Sequence, residues 1–423
     1  MGDDFGPDLI SDLPQIIIES ILSRLPIRDA VRTSILSSKW RYKWASITEL
    51  VFDDKCVDFD DRTLVEKDLV GFVRFITSTL FLHEGPIHKF QLISSYLQCC
   101  PVVDQWILFL SRKDVKELVI ELGERAWFRA PSCLFNFKKL THLELVRCEF
   151  EPPPFFTGFL CLKSLCLCQV LVSAEAMESL ISSCPLLESL ELSYFDGLAL
   201  NICAPNLKYL CLEGEFKDIF LQHTPLLKSL SVAIYMSDDI AEYFEQGSTS
   251  NFIKLFGSVL RLEKLVGRIY FTKYLSIGND PGILPVRHVS LKIIELYQVS
   301  FEDMKELLLV LRLITNAPNL TELHISGSSN TLTAVEAPDL DFWKKEYPWD
   351  CTLKRLKVAK MTDMSGLPHE MEFIKFLLAN SPVLKMMSIA PFAYVMDGTL
   401  NMLIELLRFR RASAQAEMLF VQV

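Results

Sequence analysis

The sequence predicts an α/β fold: a solenoid with a parallel sheet inside and helices outside, preceded by a small three-helix block. Three observations predict it. A phrase of fixed spacing recurs, in which an apolar residue is followed by two others, an apolar residue, one other and an apolar residue. A short turn containing proline stands ahead of several copies. The first fifty residues lack the phrase and repeat their apolar residues at helical spacing instead.

The copies begin with Val115, Leu118 and Ile120, then Leu140, Leu143 and Leu145, and Leu162, Leu165 and Leu167. They continue at Leu187, Leu190 and Leu192, at Leu207, Leu210 and Leu212, and at Leu227, Leu230 and Val232. Wider spacing separates Leu291, Ile294 and Leu296, then Leu320, Leu323 and Ile325, Leu353, Leu356 and Val358, and Leu384, Met387 and Ile389. Each copy supplies one short strand, and stacking buries a face that no single copy can bury alone, as in leucine-rich repeats. Pro185, Pro205, Pro225, Pro318 and Pro382 stand just ahead of the first leucine in their copies, where proline ends a helix and turns the chain. Helices are expected between copies, over residues 174–183 and 301–316. The gap between Leu227 and Leu291 predicts an irregular repeat or insertion near residues 236–250.

Ahead of the repeats, Ile17, Ile18, Ile21, Leu22 and Leu25 recur at helical spacing, with Asp12 as a candidate cap and Pro14 near the first turn. Pro26 is expected to end this helix, a second to cover residues 29–35, and a third residues 37–46, with Trp40 and Trp44 on one face. About forty residues cannot bury this much apolar surface among themselves, so the excess packs on the next region or on a partner. An acidic linker is expected over residues 53–68 and a helix over 69–82.

Composition bounds the function. The 423 residues are 50% hydrophobic, too apolar for a disordered chain. A net charge of −10 disfavours a general nucleic-acid binder, which needs a basic face. No stretch is apolar enough to span a membrane. The acidic N-terminus lacks an apolar signal segment, and Gly6 stands where a myristoylation motif has Ser or Thr, so a cytoplasmic or nuclear protein is expected. The twelve cysteines show no zinc-site spacing, and neither metal nor cofactor is expected. No phosphate-binding loop, nucleophile elbow or His-Glu-x-x-His motif is present, which predicts a non-catalytic protein.

The run Ile10-Ser11-Asp12-Leu13-Pro14, then Ile21-Leu22-Ser23-Arg24-Leu25-Pro26, then Asp29 through Arg41, closing at Trp44, resembles a plant F-box. Gln15 departs from the acidic residue common there. From about Cys351, Leu353-Lys354-Arg355-Leu356-Lys357-Val358, Glu372 through Leu378, Ser381-Pro382-Val383-Leu384 and Leu406 through Ser413 resemble an FBD domain, which reads physically as terminal repeats and a cap. The whole chain thus resembles the plant F-box/FBD/LRR-repeat proteins, with an F-box over residues 8–50, a linker and lead-in helices over 51–110, leucine-rich repeats over 111–345 and the FBD region over 346–423.

The resemblance implies the substrate-recognition subunit of a Skp–cullin–F-box type ubiquitin ligase. A Skp-family adaptor would dock on the F-box through Leu13, Pro14, Leu25, Pro26, Val31 and Leu36, and join the chain to a cullin. The strand residues that alternate with the leucines would form the concave, target-binding face. Candidates are Glu144, Glu191, Tyr209, Glu213, Glu295, Tyr297 and His324, a set that suits a partly basic protein target. Alternatives are an interaction scaffold outside any ligase and a solenoid that senses a small molecule.

Overall fold

The computed structural model describes residues 13–56, 66–97, 101–124, 127–235, 252–276, 287–328, 343, 352–392 and 399–421. The chain divides into two compact units, Met1–Leu187 and Glu188–Val423.

The first unit opens with α1 (Gln15–Leu22) and α2 (Ile27–Arg32), followed by 3-10 turns at Thr33–Ile35 and Lys43–Ser46. Pro14 and Pro26 stand immediately before the two helices, where a missing N–H costs nothing; Pro26 therefore starts α2, and α1 has already ended at Leu22. Asp12, the expected cap, lies outside the described residues. The third helix expected over residues 37–46 forms only as the second 3-10 turn. The Arg41 carbonyl, which an α-helix would offer to the Ala45 amide, accepts the Ser34 hydroxyl at 2.7 Å. The Ala45 amide turns to the Tyr42 carbonyl at 3.0 Å, and the tighter winding persists.

Five parallel strands follow in the order β1 (Glu49–Asp53), β2 (Lys89–Ile93), β3 (Glu117–Glu121), β5 (His142–Val146) and β7 (Ser164–Cys168). A minor pair, β4 (Phe128–Arg129) and β6 (Cys148–Glu149), lies beside them. The main strands stack in register, so that Leu50, Phe90, Leu118, Leu143 and Leu165 form one buried row. Phe52, Leu92, Ile120, Leu145 and Leu167 form a second. The ladder therefore starts at Glu49, and β1 crosses the boundary at residue 50 between the stretches read from the sequence as F-box and linker. β1 and β2 fill leucine positions with phenylalanine, and the rings of Phe52 and Phe90 meet at 5.7 Å. Helices α3 (Glu66–Leu82), α4 (Val102–Leu110) and α5 (Ala174–Ser182) connect the strands, and the Ser173 hydroxyl caps α5.

The second unit is a nine-stranded parallel ladder: β8 (Ser189–Cys203), β9 (Tyr209–Gln222), β10 (Ser229–Ile234), β11 (Lys264–Gly267), β12 (Ile293–Val299), β13 (Glu322–Gly327), β14 (Val358–Met364), β15 (Met386–Pro391) and β16 (Glu417–Phe420). Its described helices are α6 (Phe252–Ser258), α7 (Phe271–Ser276), α8 (Met304–Thr315), α9 (Pro368–Asn380) and α10 (Thr399–Arg408). Asp303 caps α8 by accepting from the Lys305 and Glu306 amides.

Two sequence expectations are corrected here. The gap after Leu227 holds a full strand, β11, whose phrase is Leu262, Leu265 and Gly267. Glycine hides it from a search for leucine. A Cβ at 267 would clash with the ring of Phe271, which is buried and takes the place of the missing side chain. Residues 236–250, where the irregularity was expected, lie outside the described residues. The second correction is one of register. Leu323 pairs with Ala359 and Ile325 with Met361, so the copy expected at Leu353, Leu356 and Val358 is Leu356, Ala359 and Met361.

The turn before the strand explains the shift. The Leu207, Leu227, Leu320 and Leu384 amides each donate to the carbonyl three residues back, closing a turn with proline second. Leu356 makes the same bond to Leu353 at 3.3 Å, without a proline. Leu353 is therefore a turn residue, and its leucine imitates the start of a phrase.

Strand ends follow a second rule. Arg147, Gln169, Tyr194, Gln298 and Asp363 adopt positive φ, between 53° and 58°, each two residues past the last apolar residue of its phrase. The next residue, Cys148, Val170, Phe195, Val299 or Met364, then returns to the core. The pairings after Ser193, Leu296 and Met361 show the register shift this produces.

Candidate functional site

Two surfaces carry the residues singled out from the sequence. In the helical block, Ile18, Leu22, Ile27, Ala30, Trp40 and Trp44 form the core. Both tryptophans thus serve packing. The block is fastened to the first repeat: the Glu84 amide donates to the Ala45 carbonyl at 2.8 Å, and Nε2 of His83 meets the Ile47 carbonyl at 2.7 Å. Burial holds the His83 imidazole below its ordinary pKa, so it is neutral in this contact.

This core leaves much apolar surface outside. Of the six expected docking residues, Pro14, Leu25, Pro26 and Leu36 are exposed, and Leu13 and Val31 are half-buried. The structure adds Ile16, Ile17, Ile21 and Ile35, which the sequence reading did not assign to this surface. Ile35 is 85% exposed and Leu36 69%. Ile17 and Ile21 lie one position round from Ile18 and Leu22, about 100° about the helix axis, which places them off the core. Counting apolar residues could not have separated the two stripes. Gln15 donates to Glu19 at 2.8 Å and accepts from Lys43 Nζ at 2.6 Å. The amide thus supplies the acceptor that a carboxylate would supply, which accounts for its tolerance here.

The second surface is the open face of the sheet. Glu144 in the first unit lies 3.5 Å from its neighbour His142. In the second unit the structure brings Glu295, Tyr297 and His324 together. The Tyr297 hydroxyl lies 3.5 Å from Oε2 of Glu295 and 3.4 Å from Nδ1 of His324, and the two rings meet edge to face at 5.0 Å. Nε2 of His324 reaches the Thr362 hydroxyl at 3.3 Å. Lys264 pairs with Glu295 at 2.9 Å. Burial keeps the His324 imidazole below its ordinary pKa and raises the Tyr297 phenol. Glu213 is elsewhere on the face and accepts the Tyr235 hydroxyl at 2.6 Å. Tyr209 is half-buried on β9, its phenol raised by burial, with Glu191 on the adjacent strand.

Beside the Tyr297 cluster, at the C-terminal ends of the strands, opens a cleft of about 560 Å³ lined by Arg268, Tyr297, Ser326, Asp363 and Phe392 among others. Ser326 donates its hydroxyl to Asp363 at 2.6 Å. Sequence reading missed Arg268, Asp363 and Phe392. Arg268 follows the glycine that concealed β11, Asp363 sits near the end of β14, whose register was misread, and neither signal was available from leucine spacing.

Among the described residues no group of three or more His, Cys, Asp or Glu stands ready to hold a metal ion, and no helix is long and apolar enough to cross a membrane. None of the nine described cysteines forms a disulfide, and burial pushes the Cys148 thiol up to about 12.

These features define a class, a parallel strand–helix repeat protein with an apolar-surfaced helical block at its N-terminal end. Comparison with known proteins gives the family. Residues 10–50 match the F-box domain, residues 103–325 the family described as FBD-associated F-box protein At5g56370, LRR repeats, and residues 345–389 the FBD family. The chain is 57% identical over 418 residues to the F-box/FBD/LRR-repeat protein At1g13570 of Arabidopsis thaliana, covering 99% of each chain. It is 25% identical to F-box/FBD/LRR-repeat protein At3g26920 of the same plant, covering 98% of this chain and 96% of that one. The figure is 26% for FBD-associated F-box protein At5g56370, also of Arabidopsis thaliana, covering 98% and 100%. The chain belongs to the F-box/FBD/LRR-repeat family.

Proposed function

We propose that this protein is the target-recognition subunit of a Skp–cullin–F-box type ubiquitin ligase. The observation that carries the reading is the apolar surface left on the helical block after its core is complete. Ile16, Ile35 and Leu36 on so small a block gain by transfer out of water, at about 25 cal/mol per Å² covered. An adaptor of the Skp family would cover them and link the chain to a cullin. The repeats would then hold a protein target on their open face. Its local concentration near the ubiquitin-transferring enzyme rises by tethering, and no catalytic residue is required of this chain.

Co-expression of the full chain with a Skp-family adaptor, followed by purification through a tag on the adaptor, tests this reading. The expected result is a stoichiometric complex that also retains a cullin when one is added. A folded chain that binds no adaptor of its own organism overturns it.

A further inference from the structure

We propose that the outer edge of β16 is a dimer interface, and that its occupant is the same edge of a second copy of this chain, paired antiparallel about Leu419.

β16 is the last strand of the ladder, and no described strand pairs with its outer edge. The Glu417 and Val421 amides donate inward, to the Lys385 and Ile389 carbonyls on the β15 side, each at 2.9 Å. Neighbouring residues of a strand turn their backbone groups to opposite edges, so Met418 and Phe420 present N–H and C=O outward. Little blunts this edge. It carries neither proline nor lysine, and its single charge, Glu417, stands at its first position.

Beside the edge, α10 and β16 enclose an apolar groove of about 320 Å³, lined by Leu403, Ile404, Leu407, Met418 and Phe420 among others. Leu407 is 75% exposed, and Ile404, Leu419 and Val421 are exposed as well. One strand upstream, the positions paired with Met418 and Phe420 are Met387 and Ile389, and both are buried. A closing repeat ordinarily turns a polar face outward. This one offers an unpaired strand and an apolar groove together.

The strand's own sequence fits a second copy. With Leu419 on a twofold axis, Met418 of each copy stands opposite Phe420 of the other. These are the residues whose backbone groups point outward, and directly opposed residues of an antiparallel pair can exchange both N–H···O=C bonds. Opposed side chains share a face, so the buried apolar row continues across the seam, and the two Leu419 side chains meet on the open face. Glu417 falls opposite Val421, which leaves no like charges opposed along the strand. The axis stands perpendicular to the sheet. It keeps the helices of both copies on one side and brings the exposed Leu407 of one α10 toward that of the other. Such an isologous contact closes at two copies and uses up both open edges.

Sedimentation velocity of the full chain over a concentration series tests the proposal. The wild type should pass from monomer to dimer as concentration rises. Leu419→Lys and Leu419→Glu each set like charges against one another on the axis, and each alone should weaken dimerisation at least about tenfold. Mixed in equal amounts, the two variants should dimerise again, because lysine then faces glutamate. That rescue requires folded chains and a pairing that sets residue 419 against itself. Ile35→Asp, on the exposed surface of the helical block, should leave dimerisation unchanged, which separates this edge from the adaptor surface. A wild type that stays monomeric, a dimer that survives both single variants, no rescue on mixing, or a dimer lost in Ile35→Asp each overturns the proposal. So does a monomeric chain whose β16 edge takes a strand from a different protein.

Discussion

Glu370 shows how a single buried carboxyl organises a repeat. It is 1% exposed, and its Oε2 accepts the Ser365, Gly366 and Leu367 amides at 2.9, 2.7 and 3.1 Å, closing the loop between β14 and α9. Burial outweighs these donors and, with the nearby Glu302 charge, pushes its carboxyl up to about 7. An unfolded glutamate titrates near 4.3, so between those values the folded chain holds a proton that the unfolded chain has released. Stability from this group is therefore present below pH ~4.3 and lost as pH rises toward 7, on the order of 3 kcal/mol over the window. Glu370→Gln keeps an acceptor for the amides without the charge. Denaturant midpoints at pH 5 and pH 7.5 should show a smaller decline in this variant than in the wild type. An equal decline in both would show that Glu370 is not the source. The left-handed residue after five of the phrases offers a second test. Gln169 has φ of 53°, a conformation glycine adopts without strain and a β-branched residue avoids. Gln169→Gly should cost little or stabilise by up to about 1 kcal/mol, and Gln169→Val should destabilise by about 1–3 kcal/mol, both read from chemical denaturation.

At the scale of the element, Gly267 and Phe271 are one packing unit: the ring of α7 completes the row that β11 leaves empty. Gly267→Ala places a Cβ against that ring and against Leu296, and overpacking of this kind costs about 1–3 kcal/mol. Adding Phe271→Leu should recover part of the loss, measured as a double-mutant cycle, and strictly additive losses would contradict the packing account. The same element shows what could be read in advance. Rows of leucine announced β3, β5, β7 to β10, β12, β13 and β15, because a strand stacked in register must repeat its inward residues. β1, β2 and β11 stayed hidden because phenylalanine or glycine does the work of leucine there. β14 was placed three residues early because Leu353 closes a turn. The third helix of the block failed for a subtler cause, the Ser34 hydroxyl competing for a backbone carbonyl. β16 is the last strand of the ladder, and its Met418 and Phe420 are only half-buried where equivalent residues upstream are covered. Such an end is what a terminal repeat presents.

At the scale of the molecule, the proposed function gives the helical block and the parallel ladder different tasks, and the two were unequally legible. The docking end was marked by an unbroken motif, and the structure's contribution was to separate the core stripe of α1 from the exposed one. The recognition face was legible only as alternating positions. Which of them converge depends on register: Glu295 and His324 are paired across β12 and β13, and Tyr297 reaches both from the stretch where the register shifts. The cleft beside them depends on strand ends that carry no leucine.

The central claim, that the block's exposed apolar residues receive a Skp-family adaptor, is tested most directly by co-purification of point variants of the full chain. Ile35→Asp and Leu36→Asp alter residues 85% and 69% exposed, and should abolish adaptor capture while leaving the thermal midpoint within about 2 °C of the wild type. Retention of the adaptor by both folded variants would contradict the account.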